Sequence, residues 1–161
     1  MNVRTLATSG IIAALYVAVA LSIAPLAYAS LQFRLPEMFN HLIVFNKKYF
    51  FGIILGVFIT NIFSPLGIYD LVFGVGMSVI ALGVTVFSSK FINGIFKRMV
   101  FNTVIFTFFM FIIAWELNIV FKAPFLITWG AVAIGEFVVM AIGIPVMIAL
   151  DKRLNFKKII Q

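Results

Sequence analysis

The sequence predicts an all-α membrane protein, a single bundle of six transmembrane helices over residues 1–161 with both termini on the cytoplasmic side. Three observations predict it. Of the 161 residues, 64% are hydrophobic and only 11% are charged, more apolar side chain than one water-soluble core of this size can hide. The apolar residues run continuously over helix-spanning lengths instead of alternating, and in lipid each backbone N–H and C=O must be satisfied within its own segment, which selects helices. The basic residues collect in alternate loops, the pattern that sets membrane orientation.

Apolar stretches lie at about 5–27, 36–46, 49–63, 68–89, 98–118 and 124–150, separated by loops with Pro, Gly, Asn or Lys. The first has a basic flank, an apolar run and Ala27-Tyr28-Ala29, as a secretory leader would. Its apolar run over 6–24 is longer than a leader's, so it is read as a retained span. The second is short: eleven residues rise about 16 Å as an α-helix against a hydrocarbon core of about 30 Å. It must be tilted, partly extended or sheltered by its neighbours. A single span through 42–62 would instead bury Lys47 and Lys48, at about 2.5–3.5 kcal/mol each.

With six crossings, Arg4, Lys47, Lys48, Lys90, Lys97, Arg98, Lys152, Arg153, Lys157 and Lys158 fall on the side of the N-terminus, and Arg34 and Lys122 on the other. Cytoplasmic termini follow. The net charge of +7 therefore reports orientation rather than nucleic acid binding. There is no cysteine, hence no disulfide framework, thiolate metal site or Cys nucleophile.

In this topology Glu37, Asn61, Ser64, Asp70, Glu116 and Asn118 all sit toward the outer face. Glu136 is deeper, about 18 Å along a helix that begins near Pro124, and a mid-membrane carboxylate marks a functional site unless it is structural, paired with Arg34 or Lys122 or hydrogen-bonded while protonated. Trp129, Ala133, Glu136 and Met140 share one helix face, which offers an aromatic plane above the acid. Trp115 and Trp129 also fit an interfacial belt, and Asp70 fits a helix-dipole acid. His41 has no second ligand at metal spacing and reads as a packed, hydrogen-bonded side chain. Small residues recur every fourth position at Gly10, Ala14, Ala18 and Ser22, and again at Gly52, Gly56 and Thr60. Such ridges let backbones approach closely, within the bundle for Gly52 and Gly56 and toward a partner for the longer ridge.

Gln32-Phe33-Arg34 with Glu37, the run Asn61-Ile62-Phe63-Ser64-Pro65-Leu66-Gly67 with Asp70 and Gly74, and Ala14-Leu15-Tyr16-Val17-Ala18 together resemble the QueT family. That family comprises substrate-binding S-components of energy-coupling factor (ECF) transporters for queuosine precursors. The resemblance implies a bacterial plasma-membrane protein, not itself an enzyme, that takes its substrate from outside. It implies a membrane T-component and two cytoplasmic ATPases as partners, docking through Ala14 and Ala18 on the ridge that Gly10 begins, and release by reorientation in the membrane. No cofactor or metal is implied, and the chain has no phosphate-binding loop of its own.

A 7-deazaguanine base offers adjacent N–H donors and a planar ring, which Glu136 and Trp129 would meet, while an aminomethyl ammonium would take Glu116 or Glu37. Arg34, Asn61, Asp70 and Trp115 complete the candidate binding set. Alternatives are an S-component for a different vitamin-like substrate, a stand-alone secondary transporter, for which no internal repeat is found, an intramembrane enzyme, or a structural subunit.

Overall fold

A computed structural model describes residues 3–23 and 34–160. Within them the elements are α1 (Val3–Ser22), a 3₁₀ segment (Leu35–His41) that runs into the one-turn α2 (Leu42–Phe45), α3 (Tyr49–Ile62), α4 (Ile68–Ser88), α5 (Ile95–Phe121), α6 (Phe125–Leu154) and the one-turn α7 (Phe156–Ile159). No strand occurs among the described residues. Gln32, Phe33 and the Ala27–Ala29 stretch lie outside them.

The helices end where backbone chemistry requires it. Gly67 and Gly94 precede α4 and α5 with φ of 57° and 98°, a region glycine enters without steric penalty. Asn155 closes α6 in the left-handed region, where asparagine is tolerated better than most residues. Helix α5 begins at Ile95, earlier than the expected 98, so Lys97 and Arg98 lie in its first turns. Their long stems let the charges leave the apolar depth while the backbone stays helical.

Four helices, α1, α4, α5 and α6, are long and apolar enough to cross a membrane, and α3 is a shorter apolar helix of 14 residues, about 21 Å. Their outward surfaces are apolar, with Phe51, Phe58, Val72, Phe108 and Ile134 exposed, while Tyr49, Ile53, Met77, Leu82, Phe106 and Met140 fill the interior. Such a surface suits lipid or another membrane helix.

The short second segment solves its length problem in two ways. Its first seven residues are 3₁₀, which rises about 2.0 Å per residue, so the whole segment spans about 20 Å. It is also enclosed: Pro36, Glu37, Asn40, His41, Leu42, Ile43 and Val44 are all buried. Asn102 of α5 accepts from Thr85 Oγ1 (2.7 Å) and donates to the Asn40 carbonyl and to His41 Nδ1, each at 3.3 Å. His41 Nε2 then donates to the Met140 carbonyl at 2.9 Å, which leaves the ring neutral and ties the segment to α4, α5 and α6. Gly143 makes room, since a Cβ there would stand 2.8 Å from Met38 Cβ and 3.1 Å from His41 Cδ2.

Both described chain ends meet at one end of the bundle. Arg4 Nε donates to the Ile159 carbonyl (3.0 Å), the Tyr49 hydroxyl to the Phe156 carbonyl (2.8 Å), and Arg98 Nη1 to the Val44 carbonyl (2.8 Å). The basic loops are thus gathered at one end, as the alternation of charge requires.

Helix α1 packs mainly on α3, and glycines set the distance. A Cβ on Gly52 would lie 2.9 Å from the Ser9 carbonyl oxygen, and one on Gly56 2.7 Å from Tyr16 Cβ. A Cβ on Gly10 would meet nothing within 4 Å. Gly56→Leu is expected to destabilise the bundle by about 3 kcal/mol, and Gly10→Leu to leave it unchanged, as read by thermal unfolding of the detergent-solubilised protein.

Candidate functional site

The chain has five acidic residues, and four of them, Glu37, Asp70, Glu116 and Glu136, are at most 2% exposed. They come from four elements and converge toward the end of the bundle opposite the chain termini. Burying four carboxyls in a membrane bundle is expensive unless each meets a partner or a ligand.

Arg34 stands at the centre. It pairs with Asp70, Nη2 to Oδ1 at 3.6 Å, and lies within electrostatic reach of Glu37, Glu116 and Glu136. Ser64 Oγ donates to Asp70 Oδ2, and Asn61 Nδ2 donates to the Asp70 carbonyl at 3.1 Å, so the turn between α3 and α4 wraps around this one acid. Gly74 follows one turn later because a side chain there would collide with the Asn61 amide, 2.6 Å from its Cβ position. Asp70 is in the first turn of α4, as the helix-dipole reading expects, and its side chain also serves the ion pair with Arg34.

Glu37 is held by two donors, the Tyr16 hydroxyl at 2.9 Å to Oε1 and the Asn40 amide to Oε2. Glu116 stands beside Asp70. Glu136 faces Glu37 across the bundle, and both of its carboxyl oxygens are buried without a hydrogen-bond partner. The structural-partner reading, a salt bridge from Glu136 to Arg34 or Lys122, is not what forms: Arg34 reaches Asp70, and Lys122 caps α5 at the surface.

A crevice of about 30 Å³ between α1, α3 and the start of the 3₁₀ segment reaches Arg34 and Glu37. Tyr16, Arg34, Glu37, Thr60 and Asn61 supply its polar lining, and Ala20, Leu21 and Val57 much of the rest.

Glu37, Asn61, Asp70, Arg34, Glu116 and Glu136 are therefore brought together, and the two tryptophans are not. Trp129 sits in a cage of Phe108, Phe111 and Phe125, with ring centroids at 6.0, 6.3 and 6.2 Å. It lies about 10 Å along α6 from Glu136. Trp115 is 55% exposed and edge-on to Phe73 at 6.1 Å. The aromatic side chain that reaches the acids is Tyr16, which the sequence placed only within a small-residue motif. A tyrosine amid alanine and valine in mid-helix was the available signal, because a buried hydroxyl needs a partner.

The QueT transporter family matches residues 6–152. This chain belongs to that family. It is 37% identical over 159 residues to the Queuosine precursor transporter QueT of Lactococcus lactis subsp. cremoris (strain MG1363), covering 94% of each chain. No solved structure matches significantly. The span matched to the QueT family runs from α1 nearly to the end of α6, so it includes all four buried acids and Arg34.

Removing Asp70 would leave Arg34 without its carboxylate and Ser64 without its acceptor. Asp70→Ala is expected to lose about 3 kcal/mol of stability, and Arg34→Met with Asp70→Leu to regain part of it, measured by the same unfolding assay.

Proposed function

We propose that this chain is the membrane-embedded substrate-binding component of an ECF-type importer for a queuosine precursor. One observation carries the reading: a small crevice reaches Arg34 and Glu37, four buried carboxyls lie around that arginine, and Glu136 among them has carboxyl oxygens without a hydrogen-bond partner. The adjacent N–H donors of a 7-deazaguanine base match a carboxylate that accepts side by side. Tyr16 replaces Trp129 as the ring against which the base packs, and an aminomethyl ammonium would lie between Glu37 and Glu116. Membership of the QueT family and the name of the Lactococcus relative support the substrate class.

The 3₁₀ segment with α2 counts as one span and α3 as another, both sheltered by the four long helices. The basic end is cytoplasmic by the positive-inside rule, so the crevice opens outward. Energy comes from elsewhere, through a T-component and two ATPases. Support for docking comes from α1, whose two faces differ: Thr5, Thr8, Ser9, Ile12, Ala13, Tyr16 and Ala20 are buried in the bundle, while Gly10, Ala14 and Ala18 are exposed. A free small-residue ridge is the surface a second membrane helix would approach. The loaded protein would then turn in the membrane and release its ligand inside.

Titration calorimetry with the purified protein should show selective binding of a 7-deazaguanine precursor over guanine. Glu136→Gln is expected to weaken it at least tenfold with the unfolding temperature retained, and unchanged affinity would remove Glu136 from the site. Ala14→Leu with Ala18→Leu should leave binding intact and abolish both co-purification with the T-component and uptake. Flux into vesicles that contain this chain alone would overturn the proposal in favour of a self-sufficient transporter.

A further inference from the structure

The last turns of α6 carry an open groove of about 580 Å³ on their outward side, near the end of the bundle that holds both chain termini. Ile144, Pro145, Ile148, Ala149, Lys152 and Arg153 line it at the spacing of one helix face, and the first turn of α5 adds Phe96. The lining is thus ordered along the helix, apolar from Ile144 to Ala149 and cationic one turn on. The rise from Ile144 to Lys152 is about 12 Å. Phe96, Pro145, Ala149 and both cations are exposed.

These cations line the groove itself, and no acid lines it with them. Among the described residues the one ion pair is Arg34 with Asp70, toward the other end of the bundle, so neither Lys152 nor Arg153 has a carboxylate partner. Asp151, their neighbour in the chain, lines a different pocket beside Arg98, and its Oδ1 already accepts from the Phe156 backbone N–H at 2.8 Å.

The membrane decides what covers the apolar part. Helix α6 is one of the four helices able to cross a bilayer, so the exposed side of its apolar turns meets acyl chains. The headgroup of the same lipid stands where the apolar run ends, which is the level of Lys152 and Arg153. Two unpaired cations there favour a headgroup of net negative charge over a zwitterionic one. An acidic segment of a soluble protein would meet the cations alone and leave the apolar turns beside them unused.

We propose that this groove binds an anionic phospholipid, with an acyl chain along Ile144–Ala149 and the phosphate held by Lys152 and Arg153. The site is separate from the crevice around Arg34, and its occupancy does not depend on the substrate.

The test uses delipidated full-length protein in detergent and reads thermal unfolding with added phosphatidylglycerol, phosphatidylcholine or inorganic phosphate. Phosphatidylglycerol is expected to raise the unfolding temperature by about 4 °C more than phosphatidylcholine, and inorganic phosphate to leave it unchanged. Lys152→Gln with Arg153→Gln should erase the difference between the lipids, and so should Ala149→Trp, which fills the apolar turns from an exposed position. Lys47→Gln with Lys48→Gln removes the same charge elsewhere at this end of the bundle and should preserve the difference. Equal responses to the two lipids would overturn the proposal and leave the cations to an acidic protein partner. A preference that survives either groove variant would place the lipid elsewhere and overturn it too. So would an equal loss in the Lys47 and Lys48 variant, which would make the preference a matter of net charge, or a shift from phosphate alone as large as that from the lipid.

Discussion

Eleven residues of partly 3₁₀ backbone cannot face hydrocarbon, and the arrangement of the bundle follows from enclosing them. A 3₁₀ turn makes poorer hydrogen bonds than an α-turn and is not tolerated exposed in lipid, so Leu35–Phe45 needs protein on every side. Helices α1, α5 and α6 supply it. Asn102 and His41 bind the segment from one side, the Tyr16–Glu37 hydrogen bond from another, and Arg98 caps the Val44 carbonyl at its end. Gly143 lets α6 come within contact of Met38 and His41.

The same enclosure concentrates charge. Glu37 belongs to the buried segment, so whatever packs on it must either neutralise it or donate to it. Tyr16 can donate only because Gly56 permits α1 to lie flat on α3, and Arg34 enters just ahead of the segment to meet Asp70. Packing and chemistry are thus one problem: the glycines that tighten the helices also aim the polar groups. Four carboxyls around one guanidinium leave a surplus of acceptors, and a bundle built for stability alone would have replaced Glu136 by a methionine such as Met140 one turn on.

Helix α1 shows how little separates internal from external purpose. The Ser9, Ile12 and Tyr16 side is consumed by α3, and the Gly10, Ala14 and Ala18 side, rotated by about 100° per residue, is exposed among the described residues. Both sides are small-residue or mixed surfaces, and the difference lies in which glycines stand opposite.

The sequence by itself determined the class of the protein and the places of its helices, because continuous apolar runs and segregated lysines and arginines are local properties that lipid reads directly. It also determined which end holds the acids, since Glu37, Asn61, Asp70 and Glu116 occupy helix ends whose side of the membrane alternates along the chain. His41 as a hydrogen-bonded core residue was legible too, from its having no second ligand at metal spacing. Only the tertiary structure decided the 3₁₀ form of the second segment, the choice of Tyr16 over Trp129 beside the acids, and the pairing of Arg34 with Asp70 rather than Glu136. Helical periodicity tells which residues of one helix share a face, and Trp129 and Glu136 do; it does not tell what the neighbouring helix presents, here a cage of phenylalanines for one and no hydrogen-bond donor for the other. Contacts between residues far apart in the chain are set by how glycines and short segments let whole helices approach, and that is a property of the packed bundle.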